Sequence, residues 1–543
     1  MKNKYLLVFL LGCFPFLASS QSNKNNLARP KLVVGIVVDQ MRYDFLYRYY
    51  SRYGNGGFKR MLTEGFLCEN TNVDYIPTVT AIGHATIYTG SVPSIHGIAG
   101  NDFIIQSTGK NMYCTEDTTV QTVGSTSGAG KMSPENLWTT TVTDELKLAT
   151  NFRSKVIGIA LKDRGAILPI GHTADAAYWF DDLTGNWITS SFYMKDLPGW
   201  LKDFNAARKN EKYLKQDWNT LYPINTYSQS FPDNNEYEGR FSGANTPTFP
   251  IKTSAMKGFG NIRNTPYGNS FTLELAKSAI ENEQLGGGPE TDFLAIGLSS
   301  PDYIGHQFGP NSVEIEDTYL RLDQDLSSFY SYLDAKVGKG NYTIFLSADH
   351  GAAHNPNLLK DKKIPAGLWN GGTIQKELNS LLKAKFKVDG LVISFLNYQV
   401  NFNDSLIGKS NLNKNEIISK SISFLRDQSG VASVVDMQNI QFETISETIK
   451  TRIQNGYNRE RSGDIQIILK PGWFQGYSST GTTHGSWNPY DAHIPLVWMG
   501  WGIKQGKTNA TYNMTDIAPT VAALLHIQEP NGSIGKVITE VLK

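Results

Sequence analysis

Three apolar runs, each breaking off into an acidic residue, set the strongest limit on how this chain can fold. Lys31 to Val38 is nearly continuous and β-branched and ends in Asp39. Asp292 to Leu298 (DFLAIGL) leads into Ser299-Ser300-Pro301-Asp302, and Tyr342 to Leu346 leads into Ser347-Ala348-Asp349-His350. A strand apolar on both faces must be covered on both sides, the condition of a central strand in a parallel sheet. Ile494 to Met499 (IPLVWM) reads as another core strand, and helical patterns lie between, notably Val313 to Leu333 and Met514 to Leu525. The expected class is α/β: a central, mostly parallel sheet flanked by helices. Ligands of such sheets sit outside the carboxyl ends of the strands. The Asp and His residues stand at those ends.

Two stretches interrupt the scheme. Residues 101 to about 289 are rich in Gly, Asn, Thr and aromatics with weak periodicity. Residues 358 to about 465 carry elements of their own, including a strand-like Leu391 to Val400 and a helix-like Asn413 to Leu425. Both are expected to be insertions that cap or wall the site of a single catalytic domain spanning 21–543, because chemistry-bearing residues lie on both sides of each.

The start reads as a secretory signal peptide over residues 1–20. Met1-Lys2-Asn3-Lys4 is basic, Tyr5 to Leu17 is apolar, and Ala18-Ser19-Ser20 precedes Gln21 as a small-residue cleavage site. Leu10-Leu11-Gly12-Cys13 also fits a lipoprotein signal, but the apolar Phe14-Pro15-Phe16-Leu17 stands where a polar linker belongs. No later segment reads as a membrane span. The expected product is periplasmic or secreted, a monomer or weak oligomer. Cys68 and Cys114 then remain, and in an oxidising compartment a pair points to a disulfide. A formal net charge of +1 over 543 residues leaves no bulk field for nucleic acid or an anionic membrane. Any anion specificity must be local.

Asp302 and His306 are four apart, on one side of a helical turn. Asp349-His350 follows a strand, and His484 sits in Gly481-Thr482-Thr483-His484-Gly485-Ser486. Mixed carboxylate and imidazole ligands without Cys-x-x-Cys suit a catalytic zinc with an open position, although such sets also accept manganese. Ile76-Pro77-Thr78-Val79-Thr80-Ala81-Ile82-Gly83-His84 reads as a loop entering a helix. A hydroxyl there caps the helix, and it also meets free N–H groups and the positive dipole end, where a phosphate binds.

Asp39, the Pro-Thr-Val-Thr-Ala segment, Gly90-Ser91-Val92-Pro93-Ser94-Ile95-His96-Gly97, Pro301-Asp302-x-x-Gly305-His306, Ala348-Asp349-His350-Gly351, His484-Gly485 and Thr515-Asp516-Ile517-Ala518-Pro519-Thr520 occur in that order. The series resembles the alkaline phosphatase superfamily, most of all its phosphate-irrepressible alkaline phosphatases and its nucleotide pyrophosphatase/phosphodiesterases. The resemblance implies an alkaline phosphatase-like sandwich and two Zn2+ ions, one held by Asp302, His306 and His484, the other by Asp39, Asp349 and His350. Thr80 would be the nucleophile beside the second ion, also contacting it, and would carry a phospho-threonine intermediate; Thr78 matches the family less well. His96, His354 and His493 have no matched ligand role.

Sulfatases are disfavoured, since the pattern they process into formylglycine is missing at Thr80. A monoester dianion carries one more charged oxygen than a diester and calls for extra positive charge. Leu161-Lys162-Asp163-Arg164 follows an apolar run, Lys155 to Ala160. Alone it reads as a solvated turn; within the resemblance, Lys162 and Arg164 match a phosphate-binding pair, and Asn101 matches a donor to a phosphate oxygen. The function expected is hydrolysis of small phosphate monoesters. A nucleotide phosphodiesterase/pyrophosphatase is the alternative, and a non-catalytic exported metal-binding protein a lesser one.

Overall fold

The computed structural model describes residues 27–476 and 479–543, so the signal-peptide reading and Cys13 lie outside the described residues. Among the described residues the largest sheet has eleven strands. Its centre is parallel, in the order Tyr342–Ser347, Leu32–Val38, Asp292–Leu298, Val156–Ala160, Ala176–Asp181. Leu32–Val38, Asp292–Leu298, Val156–Ala160 and Tyr342–Ser347 are buried along their whole length. That explains their unbroken apolar sequences: helices cover both faces. Because neighbouring strands run the same way, their carboxyl ends form one rim, where Asp39, Ser299 and Ala348 follow their strands directly and Lys162 lies two residues past its own.

Leu496–Gly500, read as a core strand, is one, but it runs antiparallel to Tyr342–Ser347. Beyond it Phe66–Asn72 pairs with Leu496–Gly500 and, in parallel, with Gly506–Asn513. The helix Val313–Leu333 lies where the sequence places it. Met514 to Leu525 divides into a 3-10 turn, Met514–Asp516, and the helix Ile517–Leu525.

The stretch 101–289 is not wholly an insertion. Val156–Ala160, Ala176–Asp181 and Asn186–Ser190 extend the central sheet, and the helix Tyr267–Glu283 packs against it. The rest of the stretch is loops and short turns. Residues 358–465, by contrast, build a small four-stranded sheet completed by Ile465–Leu469. This sheet encloses an apolar cluster of its own that includes Leu378, Leu382, Val400, Ile417, Leu425 and Ile467. Leu391 to Val400 is two strands broken at Leu396–Tyr398, where Asn397 adopts a positive φ of 58°. The small unit joins the main body through Asn397, whose Nδ2 donates to Asp102 O at 2.9 Å.

Cys68 and Cys114 are free buried thiols, against the disulfide expectation. Cys68 lies within the strand Phe66–Asn72, and Cys114 follows the hairpin strand Lys110–Tyr113; the two strands do not pair. Burial pushes the Cys68 thiol up to about 12, far from a reactive thiolate.

Candidate active site

The strand Leu32–Val38 delivers Asp39, 1% exposed, whose N–H is held by Leu298 O at 3.1 Å. The helix Ser300–Phe308 carries Asp302 in its first turn and His306 in its last. Their i, i+4 spacing brings His306 Nε2 to 3.1 Å from Asp302 Oδ1. His484 approaches the same oxygen at 3.6 Å from its distant loop. After Tyr342–Ser347 come Asp349 and His350, both fully buried. His350 Nε2 lies 3.3 Å from Asp349 Oδ2 and 3.7 Å from Asp39 Oδ1. The His350 and His484 rings stack at 3.5 Å between centroids. All six side chains thus converge.

The imidazoles show what they are set up to bind. His306 Nδ1 lies 2.9 Å from Thr482 O, His350 Nδ1 3.0 Å from Gly351 O, and His484 Nδ1 2.7 Å from Thr78 O. A carbonyl only accepts, so each Nδ1 carries the proton; neutral His350 and His484 then turn an Nε2 lone pair toward carboxylate oxygens, while His306, against its burial, is raised by Asp302. Lone pairs facing lone pairs require a cation, and an Nδ1–H bound to a backbone carbonyl is the usual support of a metal-bound histidine. Burial holds His350 at about 3 and His484 well below its ordinary value, so both stay neutral. Asp39 Oδ1, Asp349 Oδ2 and His350 Nε2 are buried with no hydrogen-bond partner. The donor set therefore fits divalent metal ions. Asp302, His306 and His484 form one compact group; Asp39 takes part in two more, one with Asp302 and His350 and one with His84 and Asp349.

Lys162, two residues beyond the strand Val156–Ala160, caps the short helix Asp163–Ile167 and enters this cluster. Its Nζ lies 2.6 Å from Asp39 Oδ2 and 2.6 Å from Asp302 Oδ2, with 3% of the residue exposed. Burial, reinforced by Asp302 and Asp349, nevertheless lifts Asp39 well above the usual carboxylate range. One ammonium does not balance three buried carboxylates.

Thr80 opens the helix Thr80–Thr89 and is 1% exposed. The cap reading does not hold: Val79 is the N-cap and makes no side-chain cap bond. Thr78 and Thr80 differ in what their hydroxyls do. Thr78 Oγ1 donates to Ser486 O at 3.0 Å and accepts from Gly485 N at 3.1 Å, which fastens the loop bearing His484. Among the described residues, Thr80 Oγ1 has no such engagement. Asn101 Oδ1 accepts from Ala81 N at 2.9 Å, fixing the amide beside Thr80. Arg164 Nη1 donates to Tyr113 Oη at 2.9 Å; that hydroxyl in turn donates to Asp163 Oδ1 at 2.8 Å. His96, His354 and His493 are bonded elsewhere, to Thr86 and Ile98, Asn311 and Glu69 respectively.

Residues 33–491 match the model of the type I phosphodiesterase / nucleotide pyrophosphatase family. The chain belongs to that family. It is 57% identical to a protein of Myroides odoratus named calcium-transporting ATPase and 54% identical to alkaline phosphatase PhoV of Synechococcus elongatus, in each case over 100% of both chains. The crystal structure of wild-type alkaline phosphatase PafA superimposes with a TM-score of 0.94 at 54% identity, covering 96% of this chain and 100% of that one. Among the described residues no helix is long and apolar enough to cross a membrane.

Three residues of this family member's site were not singled out from the sequence. His84 lies one turn along the helix from Thr80, 2% exposed, with an unpartnered Nδ1. Its i, i+4 spacing from Thr80 was the available signal. Gln40 adopts a positive φ of 64°, its N–H donating to Asp349 Oδ1 at 3.0 Å and its Nε2 to Asp302 Oδ1 at 2.7 Å. Tyr113 anchors Arg164 from a separate hairpin. Gly83 is what lets the Thr80 helix reach the cluster: a Cβ there would lie 2.5 Å from Asp349 Cβ. Gly83→Ala should force the helix away from Asp349, lowering stability by about 1–3 kcal/mol and weakening metal retention. Thermal melts and metal content of the purified variant check this.

Proposed function

We propose that this chain is an exported alkaline phosphatase that hydrolyses phosphate monoesters through Thr80 at a site loaded with two zinc ions. Asp302, His306 and His484 would hold one ion, and Asp39, Asp349 and His350 the other. The observation that carries the monoester reading is the pair of cationic side chains near the nucleophile helix, Lys162 buried and Arg164 half-buried. Both bear on His84, one turn from Thr80. The full-length identity to proteins named alkaline phosphatase supports the same reading.

The residues divide the work as follows. Thr80 Oγ attacks phosphorus and gives up its proton to solvent, the ester P–O bond breaks, and the alcohol departs with a proton from solvent. Water then cleaves the phospho-threonine, returning the Thr80 hydroxyl and inorganic phosphate. The start of the Thr80–Thr89 helix turns the positive end of its dipole to the phosphoryl oxygens, with Ala81 N–H already held by Asn101. Asn101, held by Ala81 N through its carbonyl, keeps its Nδ2 free to donate. Arg164, fixed by Tyr113, offers a planar fork for two oxygens, and Lys162 adds a point charge. Bound zinc lowers the pKa of an adjacent hydroxyl and neutralises developing charge on oxygen. Little acid–base machinery is needed, because phosphoryl transfer depends mainly on positioning and charge.

The double variant Lys162→Ala/Arg164→Ala should lose roughly 10²-fold or more of kcat/KM on an aryl phosphate and far less on its methyl diester. Equal losses on the two substrates would remove the assigned role. A nucleotide phosphodiesterase is the second reading, favoured by the name of the family model itself. It requires the diester to be the better substrate of the unaltered enzyme.

A further inference from the structure

Asn397, from the inserted stretch 358–465, reaches across to the loop that carries Asn101. Its Nδ2 donates to Asp102 O at 2.9 Å and to Ala99 O at 3.4 Å, so one amide group holds the carbonyls on either side of Gly100-Asn101. The approach needs the glycine: a Cβ on Gly100 would lie 2.3 Å from Asn397 Nδ2 and 2.6 Å from Asp102 O. From the main body, Cys114 N donates to Asn101 O at 2.9 Å, and Ala81 N to Asn101 Oδ1 at 2.9 Å. Both carbonyls of Asn101 are thus fixed, which leaves its Nδ2 as the group free to meet a phosphate oxygen.

Asn397 and Tyr398 each take a φ of 58°, between the strands Val392–Ser394 and Gln399–Phe402. Asparagine tolerates this left-handed region, but an aromatic side chain seldom occupies it. Such a conformation persists where surrounding contacts over-determine it, and it collects at functional sites. Here Tyr398 O accepts from Gln466 Nε2 at 3.0 Å and Tyr398 Oη from Gln475 N at 3.1 Å. The turn abuts both sides of the site. Asn397 meets the Asn101 loop, and Tyr398 lies against Gly485, beside His484, where an added Cβ would come within 3.2 Å of Tyr398 Cε2. A separate tie, from Gln106 Nε2 to Asn401 Oδ1 at 2.9 Å, joins the same unit to the main body beyond the strand Asp102–Ile105. It touches neither Asn101 nor the carbonyls that flank it.

We infer, resting on the reading of Asn101 as a donor to phosphate, that Asn397 is a positioning residue through which the inserted unit sets where Asn101 presents its amide. Asn397 meets no substrate; it holds the two carbonyls that define the Asn101 turn. Oriented groups lose much of their worth on displacement by about 1 Å. The inserted unit is then a clamp on the binding loop and not a wall alone.

The test compares Asn397→Gly, Asn101→Ala and the two combined, each loaded with zinc, by kcat/KM on an aryl phosphate and by inhibition with inorganic phosphate. Asn397→Gly keeps the positive φ and removes the amide. It should lower kcat/KM roughly tenfold and weaken phosphate inhibition in parallel, with zinc content unchanged. In the Asn101→Ala background the same change should cost less than about twofold, because the residue it acts through is gone. Gln106→Ala should stay within about twofold of the unaltered enzyme, whereas a role confined to holding the unit in place would make the two cuts alike. Should Asn397→Gly fail to fold, Asn397→Asp, which keeps the shape and has no N–H to give, answers in its place. Equal losses from the Asn397 change with and without Asn101, or equal losses from the Gln106 and Asn397 variants, would overturn the inference and leave Asn101 a phosphate donor. An Asn101→Ala variant that binds phosphate as the unaltered enzyme does would instead remove the donor reading, and the inference with it.

Discussion

Thr80→Ala should lower kcat/KM for an aryl phosphate by roughly 10⁴-fold or more, the scale on which an enzyme loses its covalent nucleophile, whereas Thr80→Ser should keep most of the activity. The reasoning rests on the contrast between two hydroxyls two residues apart. Thr78 is committed to Ser486 and Gly485 in both directions, so drawing it into attack would release the loop that carries His484. Thr80 has no such commitment and stands at the start of its helix. Serine restores the attacking oxygen without the methyl group; alanine leaves metal ligands and phosphate donors in place but no nucleophile. Quenching a reaction with a labelled monoester and mapping the phosphorylated peptide checks the same point. Label on Thr78, or an alanine variant within about tenfold of the unaltered enzyme, would sink the assignment.

Stripping the metals with a chelator should abolish turnover, with zinc restoring it, and should also change how stability depends on pH. In the metal-free protein burial, with Asp302 adding to it and Lys162 opposing, raises Asp349 to about 6; burial with Asp302 and Asp349 raises Asp39 well above its ordinary value. An acid raised in the folded state holds its proton to higher pH than it does when unfolded. Its contribution is present below the ordinary carboxylate pKa and is lost as pH climbs through the folded value. The neutral buried His350 and His484 add stability over the same range in either form, so the chelated protein should lose stability relative to the zinc-loaded enzyme as pH rises from about 4 to about 6 and not regain it above. The zinc-loaded enzyme, whose carboxylates face cations, should show no such decline. Denaturant unfolding across that range, with and without chelator, gives the answer. Parallel pH profiles for the two forms would mean that these carboxylates do not hold metal.

The rim of acids was legible because the signals reinforced one another. A strand buried on both faces cannot alternate, so Leu32–Val38, Asp292–Leu298 and Tyr342–Ser347 announce themselves, and a charged residue ending such a run has nowhere to go but the rim. The i, i+4 pair Asp302–His306 was legible for a similar local reason. What was missed is non-local. Gln40 ties Asp302 to Asp349 through a positive φ that no neighbouring glycine marks, and Tyr113 reaches Arg164 from another hairpin. Val156–Ala160 was noticed as apolar, but its place in the central sheet was hidden by the irregular loops around it. The two cysteines suggested a bridge only through their number; Cys68 lies on one strand and Cys114 after another that does not pair with it, and both are free.

Lys162 also bears on the order in which the parts of the enzyme come together. Its ammonium, 2.6 Å from two of the acids, acts as an internal placeholder whose charge lets the chain close around an otherwise self-repelling cavity before any ion arrives. An exported protein, as we propose this one to be, can then finish folding first and take up its metals from its surroundings afterwards.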